Sequence, residues 1–177
     1  VQAADRPEWI EHHVYEVAKL ARLPVPNELD DPACMTGPWV WVRRRLRRLV
    51  PWLVPAQKPR DCCWHHQVDW RTAAGIAVRL VRQAQAAGAR SAQIGDYVTD
   101  AVLDAVINKE LDDQTHLAIV LLVGAGAGIM PNDDPGAPWR YQDGQHRVAA
   151  QLDQGVRETI IQRFELLDPV TGRPITD

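Results

Sequence analysis

Apolar residues recur at helical spacing along most of this chain. In PEWIEHHVYEVAKLARL, residues 7–23, Trp9 or Ile10, His13 or Val14, Val17 and Leu20 or Ala21 share one stripe behind Pro7, which predicts an amphipathic helix. A connector rich in proline and turn formers, PVPNELDDPACMTGP, separates it from WVWVRRRLRRLVPWL. There Trp39, Val42, Leu46, Leu49 and Leu53 alternate at spacings of three and four, while Arg43, Arg44, Arg45, Arg47 and Arg48 take much of the remaining circumference. The pattern predicts a short basic amphipathic helix that Pro51, which lacks an N–H, stops or kinks near Val50. PAQKPRDCCWHHQ then reads as a loop.

Asp69 is placed to cap a helix over residues 70–87, with Ala73, Ile76 or Ala77, Leu80, Ala84 and Ala87 on one face and Gly88 as its stop. A second helix runs from Ser91 or Asp96 to Ile107, weakened at its start by Gly95. DDQTHLAIVLLVGAGAG fits a capped helix or a buried strand, and its helical neighbours favour helix. After a loop, MPNDDPGAP, the character changes: WRYQ reads as a short strand, residues 144–154 as a helix stopped by Gly155, and ETIIQRFELL as a strand rich in β-branched and aromatic residues. The expected fold class is α+β, mainly helical over the N-terminal two-thirds, with a small strand–helix–strand unit towards the C-terminus. Its 177 residues predict one domain, 1–177, comprising a helical arm with loops and the basic helix (1–68), a helical core (69–124) and the final unit (139–167).

A formal net charge of −3 argues against a chain that clings to polyanions as a whole, so any such contact needs a local patch. The arginine helix is the candidate: Arg43, Arg44 and Arg47 would meet DNA phosphates while Trp39, Trp41 and Trp52 stack on bases or sit at an interface. The plainer alternative has the arginines paired with acids and the tryptophans in the core. Three cysteines, two of them adjacent, do not suit a disulfide framework and fit a reducing cytoplasm. No leader-like segment opens the chain, and the longest wholly apolar run, Leu117 to Val123, is far short of the roughly 20 residues of a transmembrane span.

Two short segments carry candidate chemistry. CCWHH sets Cys62, Cys63, His65 and His66 within five residues, with Cys34, His12 or His13 able to complete a shell across space. The donor atoms suit zinc, but the crowding departs from the spaced pairs of common zinc sites, and zinc is not the expectation. DGQHRVAA, residues 143–150, places Asp143, Gly144, His146 and Arg147 at the entrance of a helix, where unpaired N–H groups and the helix dipole favour an anion. Gly144 admits a close backbone approach, His146 donates, and Arg147 offers a two-pronged grip on phosphate, while Asp143 caps the helix or holds an accompanying metal. The alternative is structural, with Arg147 paired to an acid such as Asp153 or Glu158. VLLVGAGAG departs from a dinucleotide fingerprint, since Ile129 stands at its sixth position and Pro131 soon follows.

DGQHRVAAQLDQGVRETIIQRFEL, within residues 139–167, resembles the core of the ParB/sulfiredoxin-like superfamily, and the string DGQHR is similar to the signature of DGQHR-domain, DndB-like proteins associated with DNA phosphorothioation. The resemblance implies a ParB-like strand–helix–strand unit, phosphate handling by Gly144, His146 and Arg147, a nucleotide of the ATP or CTP class with magnesium, and close helix packing at Ala150. Gln145 stands where sulfiredoxin has its nucleophilic cysteine, and no segment identifies a catalytic base, so binding rather than turnover is the expectation. The functional expectation is a cytoplasmic, nucleotide- or phosphate-binding module in a DNA-associated or regulatory process. The alternatives are a noncatalytic module that meets a protein partner or forms a homo-oligomer, and a small phosphotransferase or nucleotide hydrolase.

Overall fold

Residues 10–26, 33–124, 127–134, 136–138, 140–168 and 170–171 are described by a computed structural model of the chain. Its elements in order are β1 (Ile10–Lys19), α1 (Pro38–Leu49), α2 (Trp64–Gln67), α3 (Trp70–Ala86), α4 (Ser91–Ile107), α5 (Asp113–Val123), β2 (Met130–Pro131), β3 (Tyr141–Asp143), α6 (Gln145–Gln154) and β4 (Glu158–Leu167), with 3-10 turns at Leu20–Arg22 and Ala33–Met35. The fold is α+β, as expected.

The first element corrects the helix expected over residues 7–23. Ile10–Lys19 is a strand, and residues 7–9 lie outside the described residues. Val14, Tyr15 and Val17 fit either period locally, and pairing settles the matter: β1 runs antiparallel to β4, from Ile10 opposite Leu167 to Lys19 opposite Glu158. A two-stranded sheet is marginal alone. Here α3 and α5 pack against β4, and α3 and α4 against β1. Gly95, which weakens α4 by propensity, makes room for this packing, because a Cβ there would lie 2.7 Å from the Tyr15 hydroxyl.

The helical core follows from sequence more directly. Asp69 accepts hydrogen bonds from the Arg71 and Thr72 N–H groups at the start of α3, and Asp112 accepts from Thr115 N–H (2.9 Å) at the start of α5. Ala73, Ala77, Val81 and Ala84 of α3 are fully buried, with Val98 of α4, Ile119 and Leu122 of α5 and Ile160 of β4 in the same cluster. Gln162 of β4, buried in this apolar setting, donates to the Leu122 and Gly124 carbonyls at the end of α5 (3.3 and 2.8 Å). Gly128, beyond α5, serves that packing: a Cβ there would collide with the Gln162 side chain at 2.1 Å.

The α6 segment forms as its sequence predicts, bracketed by two left-handed glycines, Gly144 (φ 85°) and Gly155 (φ 73°). One face enters the core through Val148, Ala149 and Leu152, and α1 packs on α6. This last contact decides what the arginines of α1 do.

Candidate functional site

The Ala33–Met35 turn, the loop entering α2, and α2 itself bring Cys34, Cys62, Cys63 and His66 together. The three sulfurs lie 3.4, 3.2 and 3.4 Å from His66 Nδ1, and all four donor atoms fall within 4.8 Å of one another. His66 is buried, Cys34 and Cys63 are half-buried, and Cys62 is exposed. Burial, then hydrogen bonding to Cys63 and Cys62, then the charge of those neighbours push the Cys34 thiol up to about 12. The other ring nitrogen of His66 meets Asp153 Oδ2 at 3.1 Å.

Asp153, on α6, is almost wholly buried and is gripped by Arg44 of α1, whose Nε and Nη2 donate to its two oxygens at 3.1 and 2.7 Å. Arg44 Nη1 donates to the Met35 carbonyl (2.8 Å), which ties this pair to the turn carrying Cys34. Burial opposes ionisation of Asp153, yet hydrogen bonds and charge from His66 and Arg44 outweigh it and hold the carboxyl below its ordinary range. Four sulfur and nitrogen donors with a buried carboxylate behind the imidazole make a set that can hold a metal ion.

Of the residues singled out by CCWHH, Cys62, Cys63 and His66 meet, and Cys34 is the fourth member. His65 turns away to stack on His146, with ring centroids 5.2 Å apart and planes 14° from parallel. Burial, then His146, Arg147 and His66 lower its pKa to about 4. His13 lies instead against Phe164 in the β1–β4 sheet, with ring centroids 4.7 Å apart and planes tilted by 58°.

At the entrance to α6, Asp143 accepts from Gly144 N–H (2.5 Å) and from Arg147 Nη2 (2.9 Å), and Arg147 Nη2 also donates to the Gly128 carbonyl (3.0 Å). Arg147 is thus paired internally, with Asp143 rather than with Asp153 or Glu158. Gly144 is buried against Ile129, whose Cα would lie 2.7 Å from a Cβ at this position. His146 Nε2, His65 Nδ1 and Arg147 Nε are buried without a hydrogen-bond partner among the described residues. Trp139 lies outside the described residues.

The arginines of α1 divide. Arg44 faces Asp153, Arg43 donates to the Pro55 carbonyl (3.0 Å), and Arg47 donates to the Val54 carbonyl (2.5 Å). Burial, followed by Arg43, lowers the pKa of Arg47, while Asp153 acts in the opposite sense. Gly155 clears the way for this side chain, since a Cβ there would sit 2.6 Å from Arg47 Nη1.

Beside Arg47 opens a groove that its local sequence does not announce. A cavity of about 780 Å³ is lined by Arg47, Arg48, Arg71, Arg157 and Lys19, with Trp52 at its wall. A second, of about 620 Å³, shares Arg71 and Arg157 and adds Arg79 and Arg82. Among the described residues, Glu158 is the one carboxylate lining either cavity, and it is engaged by Arg82 at 2.9 Å. The contributing residues come from β1, α1, α3 and the turn after α6, so only the fold assembles them. Among the described residues, no helix is long and apolar enough to cross a membrane.

Comparisons with protein-family models, with curated proteins and with solved structures find no match to this chain.

Proposed function

We propose that the protein is a nucleic-acid-binding module that holds the phosphate backbone in the groove between α1, α3 and the turn after α6. The observation that carries this reading is the charge imbalance of the groove, in which Lys19, Arg71 and Arg157 have no ion-pair partner among the described residues and the single carboxylate is taken by Arg82. Clustered guanidinium groups bind phosphate by charge and by paired N–H donors, and release counterions as they do so. Trp52, 76 % exposed, offers a face on which a base can stack. The acidic chain therefore has a local basic surface, and Arg44, used in the interior, is not part of it.

The test is fluorescence anisotropy with a labelled single-stranded oligonucleotide over a salt series. Binding is expected to weaken with salt, and Arg71→Ala with Arg157→Ala is expected to weaken it and to shallow the dependence of log K on log salt by about 0.7 for each phosphate that the variant no longer neutralises. Both side chains are exposed, so folding is retained. An unaltered affinity in the double variant sinks the reading.

A second reading places a nucleotide or free phosphate of the ATP or CTP class, with magnesium, at Gly144, His146 and Arg147, as the ParB and DGQHR resemblance implies. It is supported by the unpartnered buried nitrogens of His65, His146 and Arg147 beside the start of α6. Saturable thermal stabilisation by a nucleotide, lost in Arg147→Ala, favours it. Equal response of the two proteins removes it.

A further inference from the structure

We infer that Cys34, Cys62, Cys63 and His66 bind a single zinc ion as a closed structural site. Three sulfurs converge on one atom, His66 Nδ1, at 3.4, 3.2 and 3.4 Å. Hydrogen bonding does not explain this convergence. An imidazole nitrogen has either one proton or one lone pair, so it satisfies one thiol, and the hydrogen bonds of Cys34 to Cys63 and Cys62 link the thiols to one another without requiring all three to face that nitrogen. A tetrahedral zinc does explain it: with Zn–S near 2.3 Å and Zn–N near 2.0 Å, sulfur and nitrogen ligands sit about 3.5 Å apart.

The second sphere points the same way. His66 Nε2 faces Asp153 at 3.1 Å, nearer than Arg60 Nη2 at 3.4 Å, and with the Nε2 proton donated to the carboxylate Nδ1 is left as a lone pair aimed at the three sulfurs. Asp153 is itself fixed by two hydrogen bonds from Arg44 (3.1 and 2.7 Å). A carboxylate behind a ligating histidine sets the tautomer and raises the basicity of the ligand. Three thiols and an imidazole favour zinc over magnesium or calcium, which prefer oxygen. Four protein ligands leave no position for a water, so the ion cross-links and does not catalyse.

The crowding that disfavours zinc in sequence is resolved by the fold. Cys62 and Cys63 are adjacent and His66 lies one helical turn beyond, while Cys34 reaches the cluster from a separate turn. The ion ties the turn before α1 to the start of α2, and through His66, Asp153 and Arg44 ties both to α6 and α1. Loading exchanges thiol protons for metal: Zn²⁺ displaces up to three protons and forms three Zn–S bonds and one Zn–N bond, with no change of oxidation state. The inference does not depend on nucleic-acid binding.

Full-length protein purified under reducing conditions and analysed for metals is expected to contain one zinc per chain. After removal of zinc by a chelator, titration with Co²⁺ is expected to give thiolate-to-cobalt charge-transfer bands and the visible bands of a tetrahedral ion, saturating at one equivalent. Thermal stability should fall on chelation and return with Zn²⁺. Asp153→Asn keeps all four ligands and should retain the cobalt spectrum while weakening zinc about 10- to 100-fold. The wild-type titration decides the matter even if cysteine variants do not fold. Protein without zinc that gives no charge-transfer band with cobalt overturns the inference, as does a disulfide joining Cys34 to Cys62 or Cys63 in the reduced preparation. Iron in place of zinc overturns the assigned ion.

Discussion

Helices α1 and α3 carry the same kind of message in sequence and obey it in opposite ways. Both alternate apolar and charged residues at helical spacing. In α3 the apolar face is inside, with Ala73, Ala77 and Val81 fully buried and Arg71, Arg79 and Arg82 outside. In α1 the buried side chains are Arg44 and Arg47, while Trp39 is 82 % and Leu49 66 % exposed. Amphipathic spacing establishes that a helix has two faces. Which face turns inward depends on what the neighbour offers, and α6 offers α1 a carboxylate. With carbonyls of Met35 and Val54 beside it, the interior there has acceptors for guanidinium groups and little need of tryptophan.

The most severe way to break this contrast is to remove one side of the buried pair. Arg44→Met leaves Asp153 buried and short of its main cation, and is expected to cost about 3–5 kcal/mol in urea unfolding. Adding Asp153→Leu should return part of that loss, and a double variant no better than the single would show that Arg44 acts chiefly through Met35. In α3 the comparable change is apolar: Val81→Ala should cost about 1.5–3 kcal/mol through reduced burial and the cavity left behind.

A smaller effect comes from charge at a helix end. The Thr115 N–H, followed by its hydroxyl, lowers the Asp112 pKa, so the folded state binds a proton less readily than the unfolded one. The resulting stability is present above the ordinary carboxylate pKa and is lost as pH falls through the depressed folded value. Asp112→Ala should cost about 1 kcal/mol at neutral pH and remove this part of the acid dependence, measured by thermal melts from neutral to acid pH. The smallest change belongs to the outer face of α1. Trp39→Ser and Leu49→Gln should each shift stability by less than about 0.5 kcal/mol, and a larger loss would mean that another surface covers this face in solution.

The same contrast explains what was legible. Caps and stops are local, so Asp69, Asp112, Gly88 and Gly155 mark their helix ends, and β4 declares itself by its β-branched run. The strand character of β1 is not local. Its ladder partner is at the far end of the chain, and a helical stripe can be drawn through the same residues. In the cysteine–histidine cluster, the segment with Cys62 and Cys63 stands out, but adjacent histidines on a helix point in different directions and spacing cannot choose between His65 and His66. Cys34 and Asp153 belong to the cluster through tertiary structure alone. The arginine groove is harder still, since its cations are drawn from four separate parts of the fold and no one of them is unusual where it stands.

The pairing of β1 with β4 also constrains the order in which the molecule can be made. One sheet joins the first and last regular elements described, so residues 10–19 have no ladder until residues 158–167 have been synthesised. Closing so long a loop is an entropic cost that local contacts do not offset, and high contact order slows folding. The α3, α4 and α5 helices, contiguous in sequence, meet one another without either strand and provide the natural nucleus. A strand that waits unpaired until β4 follows it is the segment most exposed to mispairing, and a chain truncated before β4 would display it as an open edge.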